Sequence, residues 1–116
     1  THCIAPLRWL NKCVLFLQMY GTQVDMWSLG VVLYIMLFGY SPWDPYCSYN
    51  NRSIENNILC GFRKETASGH GPWFPKTIPV SDLAKDIVSR LLCYRSSERI
   101  TAFDAIQHPW FSFLNS

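Results

Sequence analysis

The residues that could do chemistry here are three histidines, five cysteines and a few aspartates, and their spacing assembles none of the common sites. His2, His70 and His108 stand far apart in the chain. Cys3, Cys13, Cys47, Cys60 and Cys93 are odd in number and include no Cys-x-x-Cys pair. A zinc site therefore has no local ligand pair to start from, and the thiols read as the reduced cysteines of an intracellular protein. Neither a Gly-x-Ser-x-Gly nucleophile turn nor a His-Glu-x-x-His metal pair occurs. Asp44 is wedged between Trp43 and Pro45, and Asp82, Asp86 and Asp104 fall on the outer faces of expected helices, where a solvated helix charge is the simple reading. His70, between Gly69 and Gly71, reads as an exposed loop residue. Asn51-Arg52-Ser53 matches a glycosylation sequon, a three-residue pattern common by chance.

Composition sets the frame for those residues. The 116 residues are 49% hydrophobic and 16% aromatic, which excludes whole-chain disorder and suits one domain with one core. Lys and Arg are scattered, with a net charge of +2 and no basic run, so neither a nucleic-acid surface nor an anionic-membrane surface is expected. Residues 1–13 lack a basic start followed by an apolar run, so no signal peptide is expected and an intracellular, cytoplasmic location follows. The apolar run from Met26 to Tyr40 contains Gly30 and Gly39 and follows Asp25 directly. It falls short of the roughly 20 apolar residues that a membrane span needs, and reads as a helix buried on most sides.

The elements expected to carry these residues are mainly helical. Val14 to Met19 is a short apolar run, ambiguous between strand and helix. Gly21 breaks the chain and Thr22 caps a helix over about Gln23 to Phe38, which Gly39 and Ser41-Pro42 end. Residues 41–53 read as a loop. Ser53 is expected to cap a short helix through about Cys60, with Ile54, Ile58 and Leu59 on one face and Gly61 as the stop. Residues 62–79 read as a second irregular stretch. Ser81 then caps a helix with Leu83, Ala84, Ile87, Val88, Leu91 and Leu92 inward, and Asp82, Lys85, Asp86, Ser89 and Arg90 outward. A last short helix starts at Thr101 in a Thr-x-x-Asp104 capping pattern, packs through Ala102, Phe103, Ala105 and Ile106, and stops before Pro109.

Several motifs on this frame carry a resemblance. Asp25-Met-Trp27-Ser-Leu-Gly30-Val, Met36-Leu-Phe-Gly39-Tyr-Ser-Pro42-Trp43, Ala84-Lys-Asp-Ile-Val-Ser-Arg-Leu91-Leu92 and Arg99-Ile-Thr-Ala-Phe-Asp-Ala105-Ile-Gln-His108-Pro109-Trp110-Phe occur in that order. Together, over roughly residues 20–112, they resemble the helical lower half of a protein-kinase C-terminal lobe. The wording at Tyr34 to Pro42 and at His108 to Phe111 looks most like the calcium/calmodulin-dependent serine/threonine kinases and those activated by MAP kinases. The resemblance implies that Asp25 accepts backbone hydrogen bonds from a catalytic loop, that Trp27 anchors packing, that Gly30 permits close approach of another backbone, and that His108 is structural. It implies that Arg99 pairs with the glutamate of an Ala-Pro-Glu motif. Here Ala5-Pro6 is followed by Leu7, and a buried arginine stripped of its partner costs roughly 3–5 kcal/mol. Another acid then compensates, Arg99 reaches solvent, or Ala5-Pro6 is not that motif. The apolar segment Leu10 to Gln18 is longer than the family pattern leads one to expect.

Kinase chemistry needs a Gly-rich loop over the phosphates, a strand lysine with its helix glutamate, a His-Arg-Asp loop and an Asp-Phe-Gly metal site. The Gly-rich loop, His-Arg-Asp and Asp-Phe-Gly do not occur in these residues. The sequence therefore assigns no catalytic, cofactor-binding or metal residue. ATP and Mg²⁺ are what the resemblance implies for a complete parent kinase. Two readings follow: part of a serine/threonine kinase that supports the catalytic loop and the protein-substrate platform, or a pseudokinase-like interaction module. Both place substrate or regulator contacts in the loops 41–62 and 62–80. The all-round apolar central helix leads us to expect marginal stability or self-association for the 116-residue chain.

Overall fold

The structure, a computed structural model, describes residues 23–115. The expectations for Val14 to Met19, Thr22 and Ala5-Pro6-Leu7 lie outside the described residues. Helix α1 (Gln23–Phe38) is followed by α2 (Asn51–Cys60), the two-residue strands β1 (Thr66–Ala67) and β2 (Phe74–Pro75), α3 (Asp82–Leu91), α4 (Ala102–Ile106) and a closing 3₁₀ helix (Pro109–Asn115). The mainly helical expectation holds.

Helix α1 ends where Gly39 takes φ +85°, a left-handed conformation that costs glycine little, with its amide on the Ile35 carbonyl at 2.7 Å. Its buried residues Met26, Leu29, Leu33, Tyr34 and Phe38 recur at helical spacing and form the centre of the core. The opposite side is open, with Val32 44% and Ile35 41% exposed.

Helix α3 packs across α1 through Ala84, Ile87, Val88 and Leu91, spaced i, i+3, i+4, i+7. The two helices approach tightly at Gly30, where an added Cβ would lie 2.7 Å from Leu91 Cβ. Ser81 caps α3 as expected, its hydroxyl accepting from the Ala84 amide at 3.2 Å. Two expectations fail on this helix. Leu83 sits at the flank of the stripe and is half exposed, and Ser89 is buried rather than outward. The Ser89 hydroxyl is satisfied locally, donating to the Asp86 carbonyl one turn back at 2.8 Å.

The cap of α2 differs from expectation as well. Asn50, not Ser53, is the N-cap; its side chain accepts from the Ser53 amide at 3.2 Å and starts the helix earlier. Gly61 stops it at φ +82°. Ile54 and Ile58 pack against the core while Leu59 points to solvent. In α4, Thr101 accepts from the Asp104 amide at 3.2 Å. Ala102, Ala105 and Ile106 face inward, whereas Phe103, about 100° around the helix from Ala102, is exposed. The stretch read as irregular holds one small regular piece: β1 and β2 pair in parallel, Thr66 opposite Phe74 and Ala67 opposite Pro75.

Candidate docking cleft and its supports

Arg99 reaches back across the chain to the start of α1. Its Nη1 donates to the Gln23 carbonyl at 2.6 Å, Nε to the Cys93 carbonyl at 2.9 Å and Nη2 to the Tyr94 carbonyl at 3.2 Å. The guanidinium is therefore satisfied by three backbone carbonyls, a solution not among those raised from sequence. The bond to Gln23 supplies a cation to a carbonyl 76 residues away and fixes the first turn of α1 against the α3–α4 connection. Asp25 is half buried in that turn, favourably placed near the helix N-terminus. Trp27 stacks on Trp43 with ring centroids 5.5 Å apart and planes 10° from parallel.

His108 is buried and sits between two partners. Its Nδ1 accepts the Trp110 amide at 3.1 Å, so the ring proton lies on Nε2 and is donated to Asp86 Oδ2 at 2.7 Å. Asp86 also accepts from Arg90 Nε at 2.8 Å. These donors, His108 foremost, hold the Asp86 carboxyl below its ordinary range. Asp86 is thus more than a solvated helix charge: it ties α3 to the turn before the 3₁₀ helix. Pro109 is exposed at the start of that helix, and Trp110 meets Phe111 edge-on.

Between the two long loops lies an open cleft of about 370 Å³. Asp44, Pro45, Tyr46 and Ser48 form one wall, Ser53 and Asn57 of α2 a second, and Arg63 with His70 to Trp73 the third. Both loops are pinned to the helices. The Tyr34 hydroxyl in mid α1 bonds the Tyr40 hydroxyl at 2.7 Å and the Trp73 carbonyl. Burial, and then the bond to Tyr40, pushes the Tyr34 hydroxyl well above the usual phenol range. Asn57 Nδ2 donates to the Trp43 carbonyl at 3.0 Å. Asp44 organises its own loop: Oδ1 accepts from the Ser48 amide at 2.9 Å and the Ser48 hydroxyl at 2.8 Å, and Oδ2 accepts from the Tyr49 amide at 3.0 Å. The Tyr49 amide, followed by the Ser48 donors, holds the Asp44 carboxyl below its usual range. This bracing accommodates Cys47 at φ +52° and Tyr49 at φ +54°, conformations uncommon outside glycine.

His70 is half-buried rather than the exposed loop residue expected from its glycine neighbours. It stacks on Tyr40 at 4.4 Å and on Tyr46 at 5.9 Å. Arg63 lies over the Trp73 ring, 4.5 Å from its centroid, a cation–π arrangement. Sequence reasoning placed contacts in these loops but named none of Asn57, Arg63 or Trp73; it read Tyr34 only as part of a motif and set Asp44 aside. A signal existed for Asp44 alone, an aspartate before proline in a turn-rich segment. Among the described residues no group of three His, Cys, Asp or Glu is placed to hold a metal ion, and no helix is long and apolar enough to cross a membrane.

Comparison with known proteins places this frame. The family model described as "Protein kinase domain" matches residues 4–111. The human serine/threonine-protein kinase H1 is 42% identical over 110 residues, 95% of this chain and 23% of that protein. The zebrafish (Danio rerio) CaM kinase-like vesicle-associated protein is 40% identical over 95 residues, 82% of this chain and 21% of that protein. Mouse (Mus musculus) MAP kinase-activated protein kinase 5 is 36% identical over 95 residues, 80% of this chain and 19% of that protein. The chain thus spans about a fifth of the length of these relatives. A long helix crossed at a glycine by a second helix, with an arginine clamping its first turn and a closing His-Pro-Trp-Phe, is carried by a chain that belongs to the protein kinase domain family.

Proposed function

We propose that this chain is the C-lobe portion of a serine/threonine protein kinase, forming its protein-docking platform and bracing the catalytic loop from below. The complete domain would transfer the γ-phosphoryl group of ATP, with Mg²⁺, to a protein hydroxyl. The observation that carries the reading is the rigid frame at the start of α1: Arg99 clamps Gln23, and Asp25 stands in the same turn, where the family pattern has it receive the catalytic-loop amides. No catalytic step is assigned to these residues, because the Gly-rich loop, His-Arg-Asp and Asp-Phe-Gly do not occur in the sequence, and the reading expects no phosphoryl transfer by the 116-residue chain on its own. Protein substrates or regulators dock in the cleft between the two loops. The location is intracellular, and neither nucleic acid nor membrane is a partner.

The test joins the coding sequence to an activity assay. Upstream sequence carrying His-Arg-Asp and Asp-Phe-Gly, with no phosphoryl transfer by the 116-residue chain given radiolabelled ATP, Mg²⁺ and a basic test protein, supports the proposal. An upstream sequence without those motifs sinks the active-kinase form. Transfer by the short chain above a heat-killed control refutes its inactivity.

The second reading, a pseudokinase-like interaction module, is favoured by one observation: Leu7 follows Ala5-Pro6 where the family pattern has a glutamate. An intact native mass near 13.5 kDa with a measurable protein partner would select it. The exposed Val32 and Ile35 on α1 add an expectation of self-association at high concentration, read by sedimentation velocity.

A further inference from the structure

Three groups in the cleft carry charge or take one up, and their engagements differ. Asp44 has both oxygens committed to Ser48 and Tyr49, so it has little left to offer a basic ligand. The His70 ring is held flat against Tyr40 and Tyr46. Arg63 is exposed, and among the described residues it makes no ion pair with a carboxylate. It is nevertheless oriented, because its guanidinium lies over Trp73 and its backbone amide is bonded to the Pro72 carbonyl at 2.7 Å. Trp73 in turn donates Nε1 to the Gly69 carbonyl at 3.3 Å. A guanidinium held by its face presents its N–H fork outward, the geometry that matches a carboxylate.

Resting on the docking reading above, we infer that the cleft selects an extended protein segment bearing one carboxylate, an aspartate or glutamate seated on the Arg63 fork. Arg63 is the sole lysine or arginine in the lining, and the Asp44 carboxylate, the one acid there, is occupied by its bonds to Ser48 and Tyr49. A single cation suits a single negative charge; a phosphate dianion calls for a cluster of cations. Pro45 and Pro72 in the lining suit apolar residues flanking the acid.

The test is a positional-scanning array of extended twelve-residue peptides, with phosphoserine among the residues scanned, probed with the fluorescently labelled 116-residue chain and with Arg63→Gln and Arg63→Lys. The expected result is enrichment of Asp and Glu over Asn, Gln and phosphoserine at one position. Arg63→Gln should abolish that enrichment and weaken the best acidic peptide about two- to fivefold, the range of an exposed ion pair. Arg63→Lys should retain part of it. Matching melting curves for the three proteins would show that the fold is kept. Peptides bound with no acidic preference, with phosphoserine preferred, or with a preference that Arg63→Gln leaves intact, overturn the inference while the docking reading stands. Failure of every peptide to bind overturns both.

Discussion

Replacing Gly30 with alanine tests the packing on which the frame depends. Alanine in mid-helix normally gains about 0.8–1 kcal/mol over glycine, so propensity alone predicts a more stable protein. Packing predicts the reverse. The new Cβ would stand 2.7 Å from Leu91 Cβ and 3.0 Å from Leu92 Cδ2, against about 3.5–4.0 Å for relaxed carbon contacts. Leu92 can rotate its branch away. Leu91 Cβ is fixed to the backbone of α3, so relief requires the two helices to part by most of an ångström. Overpacking of this kind costs about 1–3 kcal/mol, and since the obstructing atom cannot rotate, the upper half of that range applies. After the helix gain is subtracted, Gly30→Ala should destabilise by about 1–2 kcal/mol, lowering the melting midpoint by about 4–10 °C. Urea and thermal unfolding, followed by far-ultraviolet circular dichroism, give both values. Ser28→Ala, at an exposed position of the same helix, is the control and should be neutral or slightly stabilising. A Gly30→Ala protein that melts at or above the parent would refute the argument that α1 and α3 touch through this glycine.

Three further outcomes follow from the polar ties. Arg99→Gln leaves the Gln23, Cys93 and Tyr94 carbonyls short of a cationic donor, and should cost about 2–3 kcal/mol in urea unfolding; an unchanged midpoint would show that the clamp is idle. The depressed Asp86 carboxyl contributes stability that is complete above its unfolded pKa of about 3.9 and declines as pH falls toward the lower folded value. Asp86→Asn should therefore flatten the acid limb of the stability profile below about pH 4, and an acid limb equal to the parent's would remove Asp86 as its cause. Tyr34 has the opposite sign: its folded value lies above the ordinary phenol pKa of about 10, so its contribution is intact below about pH 10 and lost as pH rises beyond it. Tyr34→Phe should lose about 1–3 kcal/mol at neutral pH, by orphaning the Trp73 carbonyl, and should shrink the alkaline limb.

What could be read from the chain was whatever local chemistry decides. The C-terminal end of α1 follows from Gly39 and from Ser41-Pro42, and α3 follows from an apolar stripe that starts at a serine cap. The errors fall where two local signals compete or where a short element leaves a residue beside its stripe. Asn50 outbid Ser53 because an asparagine carbonyl three residues before the serine amide caps it directly. Phe103 is apolar, yet a helix of five residues has too narrow an inner face to bury it. The cleft was not legible for a stronger reason: none of its defining contacts is periodic. Tyr34 reads as one more apolar position in a hydrophobic run, and only the fold brings its hydroxyl to a carbonyl 39 residues away. Arg63 and Trp73 are ten residues apart in a stretch with no recurring pattern, and they stack because the Arg63 amide is bonded to the Pro72 carbonyl where β1 runs beside β2. Motif resemblance located the rigid frame, whose residues repeat across a family for packing reasons. The cleft is built instead from contacts between loops, such as Asn57 on the Trp43 carbonyl and Arg63 over Trp73, and those become readable only when the fold brings the loops together.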